Sequence, residues 1–327
     1  MKAIVQDRYG PPETLTLTDV ETPVPAADEV LVRVEAAALN AYDWHAMRGD
    51  PRMARLAMGR SRPRARIRGR DFAGRVEAVG ARVRQVRPGD AVFGDLGDAN
   101  GAFAEYVCVP ETLVATAPAN LTPQQAAALP LAGITALMGL TSAGRVEPGH
   151  RVLINGASGG VGTLAVQLAT VLGASVTAVC STRNVDLVRS LGAENVVDYT
   201  RDDFARDTRR YDVVFDLVGN RSLAVLRRVL TPTGTLVLSG GGVYRGGSLI
   251  GPVGLIARGR LLAPFVRQRI VVLAAVPGRQ HLDALRAHVE TGRLTPVIDR
   301  TYPLREVPQA MRYLETEHAR AKVIITV

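Results

Sequence analysis

Residues 151–162 read Arg-Val-Leu-Ile-Asn-Gly-Ala-Ser-Gly-Gly-Val-Gly. An apolar run, Val152 to Ile154, enters a glycine-rich turn, which opens directly into the apolar-periodic segment Val161 to Leu172. Glycines let a backbone turn sharply and come close to phosphate oxygens. A helix N-terminus beyond them offers unpaired N–H groups and a partial positive charge. The chemistry implied is capture of a pyrophosphate, the middle of a dinucleotide. A glycine string alone is a weak signal, and its place between a strand and a helix strengthens it.

Counted back from Gly162, the turn is Ala157-x-Gly159-x-x-Gly162, a variant of G-x-G-x-x-G with Ala first; Ser158, Gly160 and Val161 fill the gaps. It also fits Gly156-x-x-x-Gly160-x-Gly162, the spacing of short-chain dehydrogenases, which need a Tyr-x-x-x-Lys pair downstream. The chain has two lysines, Lys2 and Lys322, and position 318 is His, so that alternative fails. A site for NAD places a carboxylate at the end of the second strand, on the ribose 2′-hydroxyl. That region here reads Val179-Cys180-Ser181-Thr182-Arg183-Asn184, without a carboxylate. Ser181 can donate to a 2′-phosphate and Arg183 can pair with it, which selects NADPH.

A chain of 327 residues suits two domains, and 47% hydrophobic residues exclude disorder as the main state. No apolar run reaches the length of a membrane span, and the first residues lack the apolar centre of a signal peptide. Cys108 and Cys180 cannot build a disulfide framework. These features give the expectation of a cytoplasmic protein without stable membrane association. The formal charge is +9, and only two of the 40 basic residues are lysine. A GC-rich genome accounts for such a bias, and a basic balance suits an anionic cofactor. No recognised nucleic-acid module is present, so no nucleic-acid partner is expected.

The elements that must position these residues fall into two styles. Before Leu121 the chain reads as short strands between turns: Lys2 to Asp7, Glu29 to Glu35, Gly74 to Val79, Asp90 to Phe93 and Ala104 to Val109. That pattern predicts a small irregular barrel. Thr122-Pro123-Gln124-Gln125 reads as a helix start, and the helix is expected to run on through Thr135 to Ala143. Six strands then alternate with helices from Arg151 to Ala274, which predicts a doubly wound parallel sheet. Beyond Thr295 a strand, a helix at Pro308–Glu317 and the strand Lys322–Val327 are too short to fold alone, and are expected to complete the first domain. The expected domains are 1–120 with 278–327, and 121–277.

The whole chain resembles the zinc-independent quinone-oxidoreductase branch of the medium-chain dehydrogenase/reductase superfamily. The segments that carry the resemblance are Asn40-Ala-Tyr-Asp-Trp44, Gly69-Arg-Asp-Phe-Ala-Gly74, Pro88-Gly-Asp-Ala-Val-Phe-Gly94, Gly101-Ala-Phe-Ala-Glu-Tyr106, Leu131-Ala-Gly-Ile-Thr-Ala136, the glycine turn and His318-Ala-Arg-Ala-Lys-Val323. The resemblance implies an α/β protein: a Rossmann sheet of six strands plus a GroES-like irregular β-barrel that holds the substrate. It also implies a homodimer. Zinc-dependent relatives bind metal through a Cys, the His of a Gly-His-Glu segment, and a Cys or Asp before the glycine turn. Here those places hold Asn40, Gly69-Arg70-Asp71 and the stretch around Leu131. An arginine in a ligand position repels a cation, so no metal is expected.

By the same resemblance the loop with Asn40, Tyr42 and Asp43 faces the nicotinamide. Asn40 can donate to the substrate oxygen, Tyr42 can donate a hydrogen bond or a proton, and Asp43 orients the loop. Thr135 is placed near the nicotinamide, Tyr199 over the 2′-phosphate, Lys322 near the pyrophosphate, and Gly219 with the cofactor contacts. Without a metal, charge developing on a simple alkoxide lacks a strong electrophile. Charge spread over a phenolate or enolate needs only hydrogen-bond donors. The expected activity is therefore NADPH-dependent hydride transfer to a small quinone or α,β-unsaturated carbonyl. Alternatives are an enoyl-thioester reductase, and an NADPH-binding regulatory or nucleic-acid-binding protein with little turnover.

Two segments depart from the pattern. Eight arginines lie between Arg52 and Arg70, either as a solvated surface loop or as a basic rim that attracts anionic substrates. Val243 to Arg269 mixes apolar residues with glycines, prolines and arginines, and is expected to cover the substrate cleft and join a subunit interface.

Overall fold

Short strands with alternating burial build the first half of the chain, and continuous apolar strands build the second. A computed structural model describes residues 1–239, 253–317 and 319–327. The first strands are β1 (Lys2–Val5), β2 (Thr16–Asp19), β3 (Glu29–Leu39), β4 (Asp71–Val79), β5 (Ala91–Asp95), β6 (Tyr106–Pro110) and β7 (Val114–Thr116). Then come β8 (Arg151–Asn155), β9 (Ser175–Cys180), β10 (Asn195–Asp198), β11 (Tyr211–Asp216), β12 (Leu230–Leu238) and β13 (Arg269–Val272). Last are β14 (Ile298–Pro303) and β15 (Lys322–Thr326).

One sheet of seven strands runs β14-β15-β3-β4-β5-β7, with β6 added on β3. Its pairs are antiparallel except β14 with β15. The strand β3 organises it. Val30, Val32 and Val34 point inward while Arg33 faces out, as a period of two requires; beyond Glu35 the run Ala36–Leu39 is wholly buried. This second half is wrapped by the last strand, with Ala37 opposite Ile325. The last strand, β15, thus lies between β14 and β3 in this sheet.

The other sheet runs β10-β9-β8-β11-β12-β13, all parallel. In order of appearance this is 3-2-1-4-5-6, the dinucleotide-binding order, whose crevice opens where the order reverses beside β8. Helices on its faces account for fully buried runs such as Val152–Ile154 and Val213–Phe215.

The connection differs from the continuous helix expected. Thr122 and Gln125 form a reciprocal cap, with the Gln125 N–H donating to Thr122 Oγ1 and the Thr122 N–H donating to Gln125 Oε1. The helix it starts stops at Ala127. A second spans Pro130–Met138, and a π turn follows at Gly139–Ala143. Proline cannot continue a helix ladder, so the chain restarts at Pro130. Ala126 to Leu129 pack into one apolar cluster with Ala36, Ala38, Ile154 and Leu164, so the two sheets share a core. The expectation for Val243 to Arg269 falls partly outside the described residues. Within the rest, a helix covers Val253–Leu262, and Leu261 and Phe265 are 73% and 83% exposed.

Candidate active site

The chain leaves β8 at Asn155 into Gly156, whose φ of +90° favours glycine. The N–H groups of Gly156 and Ala157 donate to the Val179 carbonyl at 3.3 and 3.0 Å, which pins the turn to β9. Gly159 caps the helix Gly160–Val171. A Cβ on Gly162 would lie 2.2 Å from the Gly156 carbonyl oxygen, so the helix approaches the turn more closely than any side chain permits. The first helical turn has N–H groups without intrahelical acceptors. This cradle fits a pyrophosphate, with Ala157, Ser158, Gly159, Gly160, Val161 and Gly162 as its wall. Beside it the N–H groups of Val218 and Gly219 and the Asn155 amide donate to Asp216 Oδ1 at 3.2, 3.1 and 2.8 Å, fixing the Gly219 turn. Burial pushes the Asp216 carboxyl up.

At the end of β9, Asn184 Nδ2 donates to Ser158 Oγ at 3.0 Å and Ser181 Oγ at 3.2 Å. Asn184 thus ties the second-strand loop to the glycine turn, a role for which no spacing rule exists. Arg183 Nη2 donates to the Glu317 carbonyl at 3.1 Å. Tyr199 is half exposed, and its N–H donates to the Cys180 carbonyl at 3.0 Å, which sets it beside Ser181. Thr135 Oγ1 donates to the Leu131 carbonyl of its own helix at 2.6 Å.

The segment after β3 was expected as a loop and is a helix, Ala41–Arg48. Its start explains the change: the Asn40 N–H donates to the Asp43 carboxylate at 2.7 Å, which satisfies a helix-end donor. The Asn40 side chain turns the other way. Its Nδ2 donates to Asp71 Oδ2 at 2.9 Å, and its Oδ1 accepts from Lys322 Nζ at 2.6 Å. Lys322 also reaches the Leu39 carbonyl at 3.1 Å and Asp71 at 3.3 Å, while Asp71 Oδ1 accepts from the Leu131 N–H at 3.0 Å. Asn40, Asp43, Asp71 and Lys322 are all buried. Desolvation pushes both carboxyls upward, Asp43 to about 7, while the Lys322 ammonium counteracts the rise at Asp71.

Lys322 spans both halves of the site. A Cβ on Gly160 would lie 2.8 Å from Lys322 Cδ, so the lysine stem lies on the glycine turn while its ammonium sits on Asn40 and Asp71. The Ala321 N–H donates to the Ser158 carbonyl at 2.8 Å, which fastens the preceding residue to the same turn.

Tyr42 is half-buried. Its hydroxyl donates to Asp98 Oδ1 at 3.1 Å, and the Arg70 guanidinium stacks 4.7 Å from its ring centre. Burial and the Asp98 charge push its pKa up to about 12. Arg70 makes two 2.9 Å bonds to buried Asp95, so it is a buried, paired cation. Of the other arginines in that run, Arg68 is buried and bonds Gln6 at 2.7 Å, Arg66 pairs with Asp7 at 2.8 Å, and Arg62 and Arg64 are exposed. Among the described residues no group of three or more His, Cys, Asp or Glu could hold a metal ion.

Residues 26–119 match the family described as alcohol dehydrogenase GroES-like domain, and residues 191–325 the family described as zinc-binding dehydrogenase. A 2-methylene-furan-3-one reductase of Solanum lycopersicum is 36% identical over 99% of this chain and 79% of its own length. The chain belongs to the quinone-oxidoreductase branch of the medium-chain dehydrogenase/reductase superfamily. An NADPH-dependent alkenal/one oxidoreductase of Arabidopsis thaliana is 35% identical over the same shares of the two chains. The quinone oxidoreductase of Coxiella burnetii superposes with a TM-score of 0.87 at 33% identity, covering 100% of this chain and 99% of the other. As an oxidoreductase of this branch, the protein brings its glycine turn and the helix of Tyr42 together through Lys322. Sequence reasoning missed Asp71 and Asp98. Asp71 is legible inside Gly69-Arg70-Asp71 as a residue type, but its partners Asn40 and Lys322 are not. Asp98 lies 56 residues from Tyr42 and carried no signal.

Proposed function

We propose that this oxidoreductase is zinc-independent and uses NADPH to reduce a small quinone or α,β-unsaturated carbonyl. The observation that carries the reading is Lys322, whose stem lies on the glycine turn and whose ammonium holds Asn40. A dinucleotide seated on the turn therefore ends beside the helix of Tyr42. When bound, NADPH supplies the hydride. The first turn of the helix Gly160–Val171 would hold the pyrophosphate. Ser181, Arg183 and Tyr199 would hold the 2′-phosphate, Thr135 would border the nicotinamide, and Gly219 would bound the cofactor groove. Asn40 and Asp43 set the start of the substrate helix, and Tyr42 donates toward the oxygen or carbon that gains charge. The donor set supports independence from zinc: Asn40, Arg70 and Leu131 stand in the three ligand places, and Arg70 is held by Asp95.

On this reading residues 1–120 and 278–327 form the substrate domain and 121–277 the cofactor domain, supported by β14 and β15 sharing a sheet with β3. The edge of β13 supports a homodimer joined sheet to sheet. No described helix is long and apolar enough to cross a membrane, and both cysteines are free, which supports a cytoplasmic location without stable membrane association. The site calls for no nucleic-acid partner.

The test is NADPH oxidation against a benzoquinone, a naphthoquinone, an enal, an enone, a crotonyl thioester and a simple ketone, with NADH and a chelator in parallel. Turnover of quinone or enone with NADPH, unchanged by chelator, is expected. Tight NADPH binding with no turnover on any acceptor overturns the reading. One observation bears on thioesters as a second reading: an open surface hollow is lined by Asp7, Arg62, Pro63, Arg64 and Arg66. A lower KM for a crotonyl thioester than for a small enone would support it.

A further inference from the structure

Reduction of an enone needs a proton as well as a hydride, and the buried part of the site is nearly closed to solvent. Asp43, Asp71 and Lys322 are sealed. Tyr42 is different, because its hydroxyl donates at 3.1 Å to a carboxylate whose side chain is 90% exposed. We propose that Asp98 is a proton port: it takes protons from solvent and passes them to Tyr42, which delivers them to the substrate. This rests on the reductase reading.

The turn that carries Asp98 is built to hold it there. The Gly97 N–H donates to Asp95 Oδ1 at 2.8 Å, and the same carboxylate takes both bonds from Arg70. One buried acid therefore fixes the arginine over the tyrosine ring and the turn beyond it. Asn100 Nδ2 closes the turn on the Asp98 carbonyl at 2.9 Å. Arg70 Nη1 stands 3.9 Å from Asp98 Oδ1. The charged and polar groups facing Tyr42 are thus Asp98, Asn100 and Arg70, with Arg68 acting from further off.

The steps balance. Hydride adds to the β-carbon and leaves an enolate. The Tyr42 O–H bond breaks, its proton forms the new C–H bond at the α-carbon, and Tyr42 is left as a phenolate beneath the Arg70 cation. A proton that Asp98 has taken from water returns the phenolate to the phenol, and Asp98 returns to the carboxylate. At neutral pH the raised Tyr42 pKa keeps the donor protonated between turnovers. A reduced quinone gains its proton on oxygen, where water itself is a fast donor, so the port matters less there. Asp98 acts through Tyr42 and is a positioning and relay residue.

The experiment compares the wild type with Tyr42→Phe, Asp98→Asn and Asp98→Glu, on one enone and one quinone. With the enone, Tyr42→Phe is expected to lower kcat about a hundredfold and Asp98→Asn about tenfold at little changed KM, within the range for general acid catalysis. Quinone turnover should fall by a smaller factor in each, the solvent isotope effect on enone kcat should rise in Asp98→Asn, and Asp98→Glu should recover part of the loss. Independently of turnover, ultraviolet titration of the tyrosinate, referenced to Tyr42→Phe, should show a lower Tyr42 midpoint in Asp98→Asn. Equal losses on both substrates mark a structural effect and overturn the port, as does wild-type behaviour of Asp98→Asn with an unmoved midpoint. A wild type silent on every acceptor removes the reductase reading itself, which is a separate result.

Discussion

The two sides of the helix Ala41–Arg48 handle polar groups in opposite ways. On the inner side Asn40, Asp43, Asp71 and Lys322 are buried and bonded to one another or to backbone. On the outer side Tyr42 meets an exposed carboxylate across one hydrogen bond. The sealed group holds its geometry because every change inside it leaves a charge or donor unpaired in a dry place. The wet group exchanges protons because water reaches one end of it. A reductase needs both: a rigid floor that sets the distance between cofactor and substrate helix, and a route for the proton.

The largest effect should come from breaking the floor. Lys322→Met leaves the Asp71 carboxylate buried without its cation, and loss of one partner of such a pair costs about 3–5 kcal/mol. Chemical denaturation should show that loss, together with weaker NADPH binding, since the stem also lies on Gly160. A wild-type midpoint for Lys322→Met would erase the distinction between the two sides.

A smaller effect concerns acid. Burial pushes the Asp43 carboxyl up to about 7, against about 3.9 in an unfolded chain. Between those values the folded state holds a proton that the unfolded chain has released. Asp43 therefore makes stability fall as pH rises from about 4 to about 7, by at most about 1.4 kcal/mol per unit. His45, depressed by burial, works in the opposite direction. Asp43→Asn keeps an acceptor for the Asn40 N–H and removes the titration. The difference in melting temperature between wild type and Asp43→Asn should change across that window, and a constant difference would place Asp43 outside the sealed group.

The smallest effects belong to the wet side. Asp98→Asn should change stability by less than about 0.5 kcal/mol, as surface substitutions do. The double variant Arg62→Ala, Arg64→Ala should do the same in thermal unfolding while raising the KM of a crotonyl thioester if that cleft takes the thioester handle. An unchanged KM would leave the two arginines as solvated surface.

The parallel sheet was legible because its strands are apolar on both faces and its turn is spelled in glycine. The strand Arg151–Asn155 stands where the sequence placed it, and the helix beyond the turn starts one residue early, at Gly160. The substrate side was legible only as residue types. Asn40-Ala-Tyr-Asp43 reads as turn chemistry, yet the contact between Asn40 and Asp43 starts a helix, because a carboxylate three residues on can take the N–H of the cap. Asn40 was expected to face the substrate, and its amide is occupied by Asp71 and Lys322. That pairing joins residues 282 positions apart, and no local period encodes it. Arg70 shows the same limit: its charge was legible, and its buried acid partner 25 residues away was not.

The position of β15 has a consequence for synthesis. Its neighbour β3 emerges early, and the whole six-stranded sheet is made between the two. During that interval the edge of β3 at Ala36–Leu39 stands bare, an apolar template open to any passing strand. The nucleotide-binding half can settle while the ribosome is still at work, whereas the catalytic floor waits for Lys322. That edge of β3 therefore stays unpaired until the last strand is free to dock on it.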